Sequence, residues 1–327
     1  MEDITLKAQG IKTSFQTSEG KVVAVNDVDI TIREGKILGV VGESGCGKTV
    51  TALSIMRLVP EPNGKIEEGR IEFMGKNLLE LSSEEMRKLR GAEISMIFQE
   101  PMTALNPVFS IGYQMKEMLK LHRGMTDEQA TERAIELIDM VGIPRAEKVI
   151  KEYPHQLSGG MRQRVMIAMA LSCDPKFMIA DEPTTALDVT IQAQVLELMK
   201  DLNEKMGTAI MFITHDLGVI AEMADDVVVM YAGKVVEESN AISLFHEPKH
   251  PYTMGLLRSR PDMLEEGEEL QSIKGMVPSL LRMPEGCPFN PRCEHRMDIC
   301  VKEMPQLIEV KPGHKTRCWL YDDKGGK

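Results

Sequence analysis

A glycine-rich loop in the first sixth of the chain combines the residue types that bind polyphosphate. The segment Gly42-Glu43-Ser44-Gly45-Cys46-Gly47-Lys48-Thr49 follows an apolar run at 37–41 and precedes a helical pattern at 50–58. Glycines let several backbone N–H groups converge on phosphate oxygens, and the start of a helix adds the positive end of its dipole. Lys48 is suited to reach terminal phosphates, and the Thr49 hydroxyl is suited to ligate the accompanying magnesium ion. The pattern predicts a phosphate-binding loop formed by Gly42, Ser44, Gly45, Cys46, Gly47, Lys48, Thr49 and Val50.

A second segment has the features of an anion site. Leu157-Ser158-Gly159-Gly160 opens into a helical pattern at 165–171. A serine hydroxyl and glycine N–H groups at the start of a helix favour negative charge. Ser158, Gly159 and Gly160 are therefore predicted to form a second phosphate-binding surface in the same chain.

Polar side chains recur where apolar, strand-like runs end. Gln99 follows the run at 94–98, Asp181 and Glu182 follow 177–180, and His215 follows 210–214. Taken singly, each has an ordinary explanation as a loop residue, a charged strand end or a structural histidine. Because ligands bind at the carboxyl ends of strands in open α/β sheets, the repeated position favours a shared site. There Asp181 is suited to hold magnesium through water, and Glu182 is suited to polarise an attacking water.

The remaining elements place these motifs in an α/β fold. Alternating apolar residues at 4–15 and 22–32, separated by a turn at 17–20, predict antiparallel strands, and 111–142 has helical periodicity. Phe15 lies upstream of the phosphate-binding loop. It either stacks on a nucleobase or packs as a core or edge aromatic.

Composition limits the possible classes of protein. The 327 residues carry a formal net charge of -11, which argues against nucleic acid as the main partner. The longest apolar runs, such as 227–231, are too short to span a bilayer, and the first residues lack the features of a signal peptide. These observations predict a cytoplasmic location and no nucleic-acid partner.

Four cysteines cluster at the C-terminal end: Cys287, Cys293, Cys300 and Cys318. In a cytosolic chain such a cluster indicates a metal site more than disulfides. Zinc sites favour a pair of cysteines two to four residues apart, and none of these gaps is that short. The spacing therefore favours a [4Fe-4S] cluster over zinc, with unligated thiols as a third reading. His295 and His314 are alternative ligands.

The order of the motifs resembles the ATP-binding cassette (ABC) family over roughly residues 4–260. Its members share the phosphate loop, glutamine loop, signature motif, acidic strand, aspartate loop and histidine loop. Met161 departs from the glutamine that usually follows the signature glycines. The resemblance implies a P-loop NTPase core with an antiparallel β subdomain, a helical subdomain at about 100–172 and a small cysteine-rich, metal-binding C-terminal extension. The domains would be 1–260 and 261–327.

The resemblance also implies roles for individual residues. Lys48 would bind the terminal phosphates, and Thr49 and Gln99 would ligate magnesium. Glu182 would be the general base, and His215 would position the terminal phosphate. Asp188, in the aspartate loop, would contact the nucleotide. Residues 158–160 would close over ATP bound to a partner subunit, so that hydrolysis requires a head-to-tail dimer.

A narrower resemblance connects the chain with the ATPases of dipeptide and oligopeptide importers, in particular the first of the two ATPases that these systems use. It rests on Asn106-Pro107-Val108-Phe109-Ser110-Ile111-Gly112, on His250-Pro251-Tyr252-Thr253, on 153–161 and on the tail at 277–318. It implies ATP hydrolysis coupled to peptide uptake, with the chain peripheral at the cytoplasmic face of the membrane. The implied partners are a second ATPase subunit, two transmembrane permease subunits and an extracytoplasmic peptide-binding protein.

Two other classes compete with this reading. A cassette protein of chromosomes needs a long coiled coil between the phosphate loop and the signature, and the interval from Gly42 to Leu157 is too short; ribosome-acting types usually have two cassettes. A metal-responsive regulator would make the cysteine tail the functional element, but no basic DNA-reading helix is present.

Overall fold

The computed structural model of the chain describes residues 3–99, 104–185, 188–259 and 272–325. These residues form two compact units. The first unit comprises residues 3–5 and 32–36 and the described part of 80–212. The second unit comprises residues 6–31 and 37–79 and the described part of 213–327.

Strands and helices both occur throughout the described chain. The strands are β1 Ile4–Thr17, β2 Gly20–Arg33, β3 Ile37–Val41, β4 Gly64–Phe73, β5 Lys76–Asn77, β6 Ile94–Ile97, β7 Phe177–Asp181, β8 Ala209–Ile213, β9 Asp226–Tyr231, β10 Lys234–Asn240, β11 Ile308–Lys311 and β12 His314–Thr316. The helices are α1 Lys48–Ile55, α2 Ser83–Leu89, α3 Ile111–Arg123, α4 Asp127–Met140, α5 Ala146–Val149, α6 Gly159–Leu171, α7 Val189–Met206, α8 Leu217–Met223, α9 Ala241–His246, α10 Pro251–Arg258 and α11 Asp298–Lys302.

The antiparallel strands predicted near the start of the chain are confirmed. They form a four-stranded sheet in the order β2-β1-β4-β5, in which Leu6 lies opposite Phe73 and Phe15 opposite Gly64. Along β2, Val28 and Ile30 are buried while Asp29 between them is exposed. This alternation is typical of a strand with one face on a core.

A second group of strands in the second unit leads directly into the phosphate-binding loop. Its order is β11-β12-β10-β9-β3, and β3 pairs parallel with β9, with Val41 opposite Val229. All five residues of β3 are buried. A strand buried on both faces reads as a continuous apolar run, which is why the sequence indicated it clearly.

The tail contributes strands that the sequence analysis did not predict. β12 pairs antiparallel with β10, with Glu237 opposite Thr316, and β11 pairs with β12. Phe289 is buried, and its ring contacts those of Tyr231 and Tyr252. The tail is therefore built onto the core of the second unit.

The first unit contains the strands β8-β7-β6 and most of the longer helices. β6 and β7 run parallel, with Ile94 opposite Phe177. The helices predicted at 111–142 are present as α3 and α4, and α4 begins with a capping box between Thr126 and Gln129. The predicted start of the helical subdomain at residue 100 lies outside the described residues.

Candidate functional site

The phosphate-binding loop lies between the end of β3 and the start of α1. Gly42, Gly45 and Gly47 have positive φ angles of 153°, 76° and 105°. A Cβ on Gly47 would also lie 2.6 Å from the carbonyl oxygen of Ala24. Positive φ and close approach to neighbouring backbone both require glycine here.

Lys48 directs its ammonium group back over this loop. Its side chain is buried, and Nζ donates hydrogen bonds to the carbonyl oxygens of Gly42 at 2.7 Å and Glu43 at 3.2 Å. Thr49 and Val50 are half-buried in the first turn of α1, and glycine at the N-cap supplies no side-chain acceptor for that turn. Cys46 is buried, which raises the pKa of its thiol, while Ser44 and Gly45 are exposed. The arrangement sets a cation beside a helix start, as an anion site needs.

The acidic end of β7 is the centre of the site in the first unit. Asp181 is buried, and Glu182 has a left-handed backbone with φ of 48°. Gln99 Nε2 lies 3.3 Å from Glu182 Oε2, and the hydroxyl of Thr185 donates to the same oxygen at 2.9 Å. The structure thus brings together Gln99 and Glu182 from separate strands. Sequence reasoning missed Thr185, whose only signal is a hydroxyl three residues after the acid.

The second predicted anion surface is also in the first unit. Ser158 caps α6, and its hydroxyl oxygen accepts from the N–H of Met161 at 3.3 Å. A Cβ on Gly159 would meet none of the described residues within 4 Å, whereas one on Gly160 would come within 2.8 Å of Ile191 Cγ2. Packing inside the chain therefore explains the glycine at 160 and not the one at 159.

Asp188 occupies the start of the neighbouring helix. It caps α7, and its carboxylate accepts from the N–H of Ile191 at 3.0 Å. Ile191 thus donates its N–H to Asp188 and has its side chain next to Gly160. The two residues before Asp188 lie outside the described part of the chain.

The predicted site residues Phe15 and His215 belong to the second unit. His215 is exposed after β8, next to Asp216, which caps α8 by accepting from the N–H of Gly218 at 2.8 Å. Phe15 is half-buried on β1, and a Cβ on Gly64 would lie 2.7 Å from its Cε1. The ring thus packs against β4, and stacking on a nucleobase stays a prediction.

The four tail cysteines share a pocket. Cys287, Cys293, Cys300 and Cys318 line one pocket with an empty volume of about 310 Å³ and are free thiols. In the described residues no group of three or more histidine, cysteine, aspartate or glutamate residues is arranged to hold a metal ion. The prediction of a metal-binding extension, with a [4Fe-4S] cluster or zinc, is therefore not supported.

Burial raises the pKa of Cys287 to about 11 and that of Cys318 to about 12, so both thiols are protonated at neutral pH when no metal is bound. His295 lines the same pocket. His314 has another role, since its Nε2 lies 2.7 Å from Glu237 Oε1 in a buried pair.

Comparisons with known proteins show which family the chain resembles. The family described as "ABC transporter" matches residues 25–185, and the family described as "Oligopeptide/dipeptide transporter, C-terminal region" matches 236–300. A solved dimer of the ATP-binding cassette MJ0796, in a post-hydrolysis state bound to ADP and Pi, superposes with a TM-score of 0.65 at 29% identity. The match covers 72% of this chain and 98% of that one.

Two curated relatives match over nearly the whole chain. The oligopeptide transport ATP-binding protein AppD of Bacillus subtilis (strain 168) is 54% identical over 322 residues, 98% of each chain. The oligopeptide transport ATP-binding protein OppD of Salmonella typhimurium is 49% identical, over 97% of this chain and 94% of the relative. The chain therefore belongs to the ABC transporter ATPases, in the group with the oligopeptide/dipeptide transporter C-terminal region.

Proposed function

We propose that this chain is the ATP-hydrolysing subunit of an importer that takes up dipeptides or oligopeptides. The observation that carries the proposal is the similarity to AppD, which is 54% identical over 98% of each chain. The residues at 236–300 also match the family described as "Oligopeptide/dipeptide transporter, C-terminal region". The cassette supplies ATP hydrolysis, and the C-terminal region distinguishes peptide transporters from other cassettes.

Uptake in cells tests this proposal. Deletion of the gene should abolish uptake of a labelled peptide, and the unaltered chain should restore it while Glu182→Gln should not. Uptake of a free amino acid serves as the control for membrane integrity. Restoration of peptide uptake by Glu182→Gln, or normal peptide uptake without the gene, would contradict the proposal.

The roles of the individual residues follow from this function. Lys48 binds the terminal phosphates, and Thr49, Gln99 and Asp181 hold magnesium, which screens phosphate charge. Glu182 accepts the proton of the attacking water. The hydrogen bonds from Gln99 and Thr185 support this role because they orient the carboxylate of Glu182.

The other nucleotide contacts are distributed over the chain. Phe15 stacks on the base, His215 positions the terminal phosphate, and Asp188 contacts nucleotide near the dimer interface. The loop contributes Gly42, Ser44, Gly45, Cys46, Gly47 and Val50.

Hydrolysis on this proposal needs two ATPase subunits arranged head to tail. Ser158, Gly159 and Gly160 of one subunit bind the ATP of the other. The open space around Gly159 supports this arrangement, because no contact with the described residues explains a glycine at that position.

The remaining partners are two transmembrane permease subunits and an extracytoplasmic peptide-binding protein. In the described residues, no helix combines the length and apolar composition of a membrane span. The proposed place of the chain is at the cytoplasmic face of the membrane, bound to the permeases. The domains are 1–260 and 261–327, with a boundary in the part of the chain that the structure does not describe.

An exposed apolar patch in the first unit is suited to the contact with a permease. Val108, Phe109 and Tyr113 are 69%, 40% and 49% exposed, and the two rings stack at 4.6 Å. Phe109→Lys should lower peptide uptake and leave ATP binding unchanged. Leu121→Lys, at a residue near the end of α3 that is 71% exposed, is the matched control.

The cysteine pocket is proposed to take a metal centre, with a [4Fe-4S] cluster favoured and zinc as the alternative. Support comes from the four thiols that line one pocket and from their not being used in disulfides. The ligands would be Cys287, Cys293, Cys300 and Cys318, and the centre would stabilise the tail.

Metal analysis distinguishes the alternatives. Protein purified without oxygen should be brown and contain iron and acid-labile sulfide, and Cys300→Ser should lose both. Cys173→Ser, at a buried cysteine of the first unit, is the matched control. A colourless protein with stoichiometric zinc would favour the alternative, and absence of both metals would refute a metal centre.

A further inference from the structure

An ion pair ties the phosphate-binding loop to the C-terminal tail. Arg292 lies 249 residues after Glu43, the second residue of the loop. Nη1 of Arg292 donates to Glu43 Oε2 at 2.6 Å, and Nη2 donates to Glu43 Oε1 at 3.0 Å. The Arg292 side chain is 4% exposed and that of Glu43 29%. A bidentate arginine–carboxylate pair fixes the relative orientation of the two side chains as well as the contact between them.

Arg292 is itself held in place. Its Nε donates to the carbonyl oxygen of Lys274 at 3.1 Å, and Nη2 donates to that of Ile273 at 3.3 Å. Nη1 also lies 3.4 Å from the hydroxyl of Tyr231. These contacts fix the position of the Arg292 guanidinium, which in turn fixes the position of the Glu43 carboxylate.

The backbone of Glu43 is held by a second contact, with Tyr252. Its N–H donates to the hydroxyl oxygen of Tyr252 at 2.8 Å, and burial raises the pKa of that hydroxyl, so it stays neutral. The carbonyl oxygen of Glu43 accepts from Lys48. Glu43 thus connects Arg292 and Tyr252 to the lysine of the loop.

We propose that Arg292 is a positioning residue for ATP binding, which it supports by holding Glu43, and through it the phosphate-binding loop, in the binding conformation. The inference rests on the proposed ATPase function and goes beyond it, because it assigns to the tail a part in nucleotide binding. Arg292 acts through Glu43 and touches no reacting atom. Its loss therefore weakens ATP binding more than it slows turnover.

Binding measurements on the full chain test the proposal. Arg292→Met should raise the Kd and KM for magnesium-ATP about tenfold and leave kcat at saturating ATP within about threefold. Arg292→Lys should give an intermediate Kd, because lysine keeps the charge and loses the planar fork. Arg70→Met, which removes an exposed pair with Glu72 on β4, is the matched control.

A double variant separates positioning from folding. Glu43→Gln/Arg292→Met carries neither charge, so it should regain the thermal stability that Arg292→Met loses while its Kd stays at least about fivefold above that of the unaltered chain. Return of ATP affinity together with stability would overturn the inference, and so would a Kd for Arg292→Met within about fivefold of the unaltered chain. If the unaltered chain fails to bind magnesium-ATP, the proposed function itself fails.

Discussion

The side-chain amide of Gln99 lies 3.3 Å from Oε2 of Glu182, and the hydroxyl of Thr185 donates to the same oxygen. Residues from the ends of β6 and β7 therefore converge on one carboxylate. Because a general base must be aimed at the proton that it removes, these contacts would orient Glu182 for its proposed role before any substrate arrives. The left-handed backbone of Glu182 belongs to the same local geometry.

Glu182→Gln should leave ATP binding intact and slow hydrolysis by about a hundredfold or more, since the amide cannot accept a proton. Titration with a fluorescent ATP analogue and a phosphate-release assay measure the two effects. Glu204→Gln, on the exposed face of α7, is the control. Turnover close to normal would remove Glu182 from the role of base.

Lys48→Ala should raise the Kd for ATP by about tenfold or more, which corresponds to about 1.4 kcal/mol. The reason is the loss of the one side-chain cation that the loop motif itself contributes, whose Nζ lies over the loop carbonyls. Calorimetric titration measures the change. Lys65→Ala, at an exposed residue of β4, is the control and should bind ATP as the unaltered chain does. Unimpaired affinity in Lys48→Ala would count against the assignment of the loop.

Gly159→Ala should preserve thermal stability and lower ATP hydrolysis about tenfold, because a Cβ at this position meets none of the described residues but would face the ATP of a partner. Gly160→Ala is the informative comparison. Its Cβ meets Ile191, so it should lower the melting temperature as well. Normal hydrolysis by Gly159→Ala would contradict the head-to-tail arrangement.

His314→Ala should lower the free energy of unfolding by about 2 kcal/mol, because the buried carboxylate of Glu237 loses its hydrogen bond to the ring and keeps those from the N–H groups of Lys249 and His250. Urea unfolding measures the loss. His246→Ala, at an exposed histidine, should unfold as the unaltered chain does. The double variant Glu237→Gln/His314→Ala should recover part of the loss, and no recovery would argue that the carboxylate is not its cause.

Local signals made the phosphate-binding loop predictable from sequence. Its glycines, its lysine and the buried strand before it lie within a dozen residues, and each is dictated by φ, close packing or charge. The positions of Gln99 and Glu182 were also readable, because each follows a buried strand. The hydrogen bond between Gln99 and Glu182 could not be predicted, because it depends on how β6 and β7 pair.

Long-range pairing explains what the sequence did not reveal. Arg292 looks like any charged residue in a proline-rich tail, and its partner Glu43 lies 249 residues earlier. The strands at 308–316 are short, and they form against β10. The metal site predicted from the cysteines stays a proposal, because the spacing of cysteines in sequence does not fix how their sulfurs are arranged in space.

The pairing of β12 with β10 also has a consequence for biosynthesis. The hydroxyl of Thr316 reaches the carbonyl of Val236 across 80 residues of sequence, and a ribosome needs roughly 4 to 16 s to translate that interval. During those seconds the edge of β10 that later pairs with β12 is unpaired, and Glu237 lacks the imidazole of His314. A nascent chain at this stage is the species that chaperones would bind, and a premature stop codon before residue 308 would make that exposed state permanent.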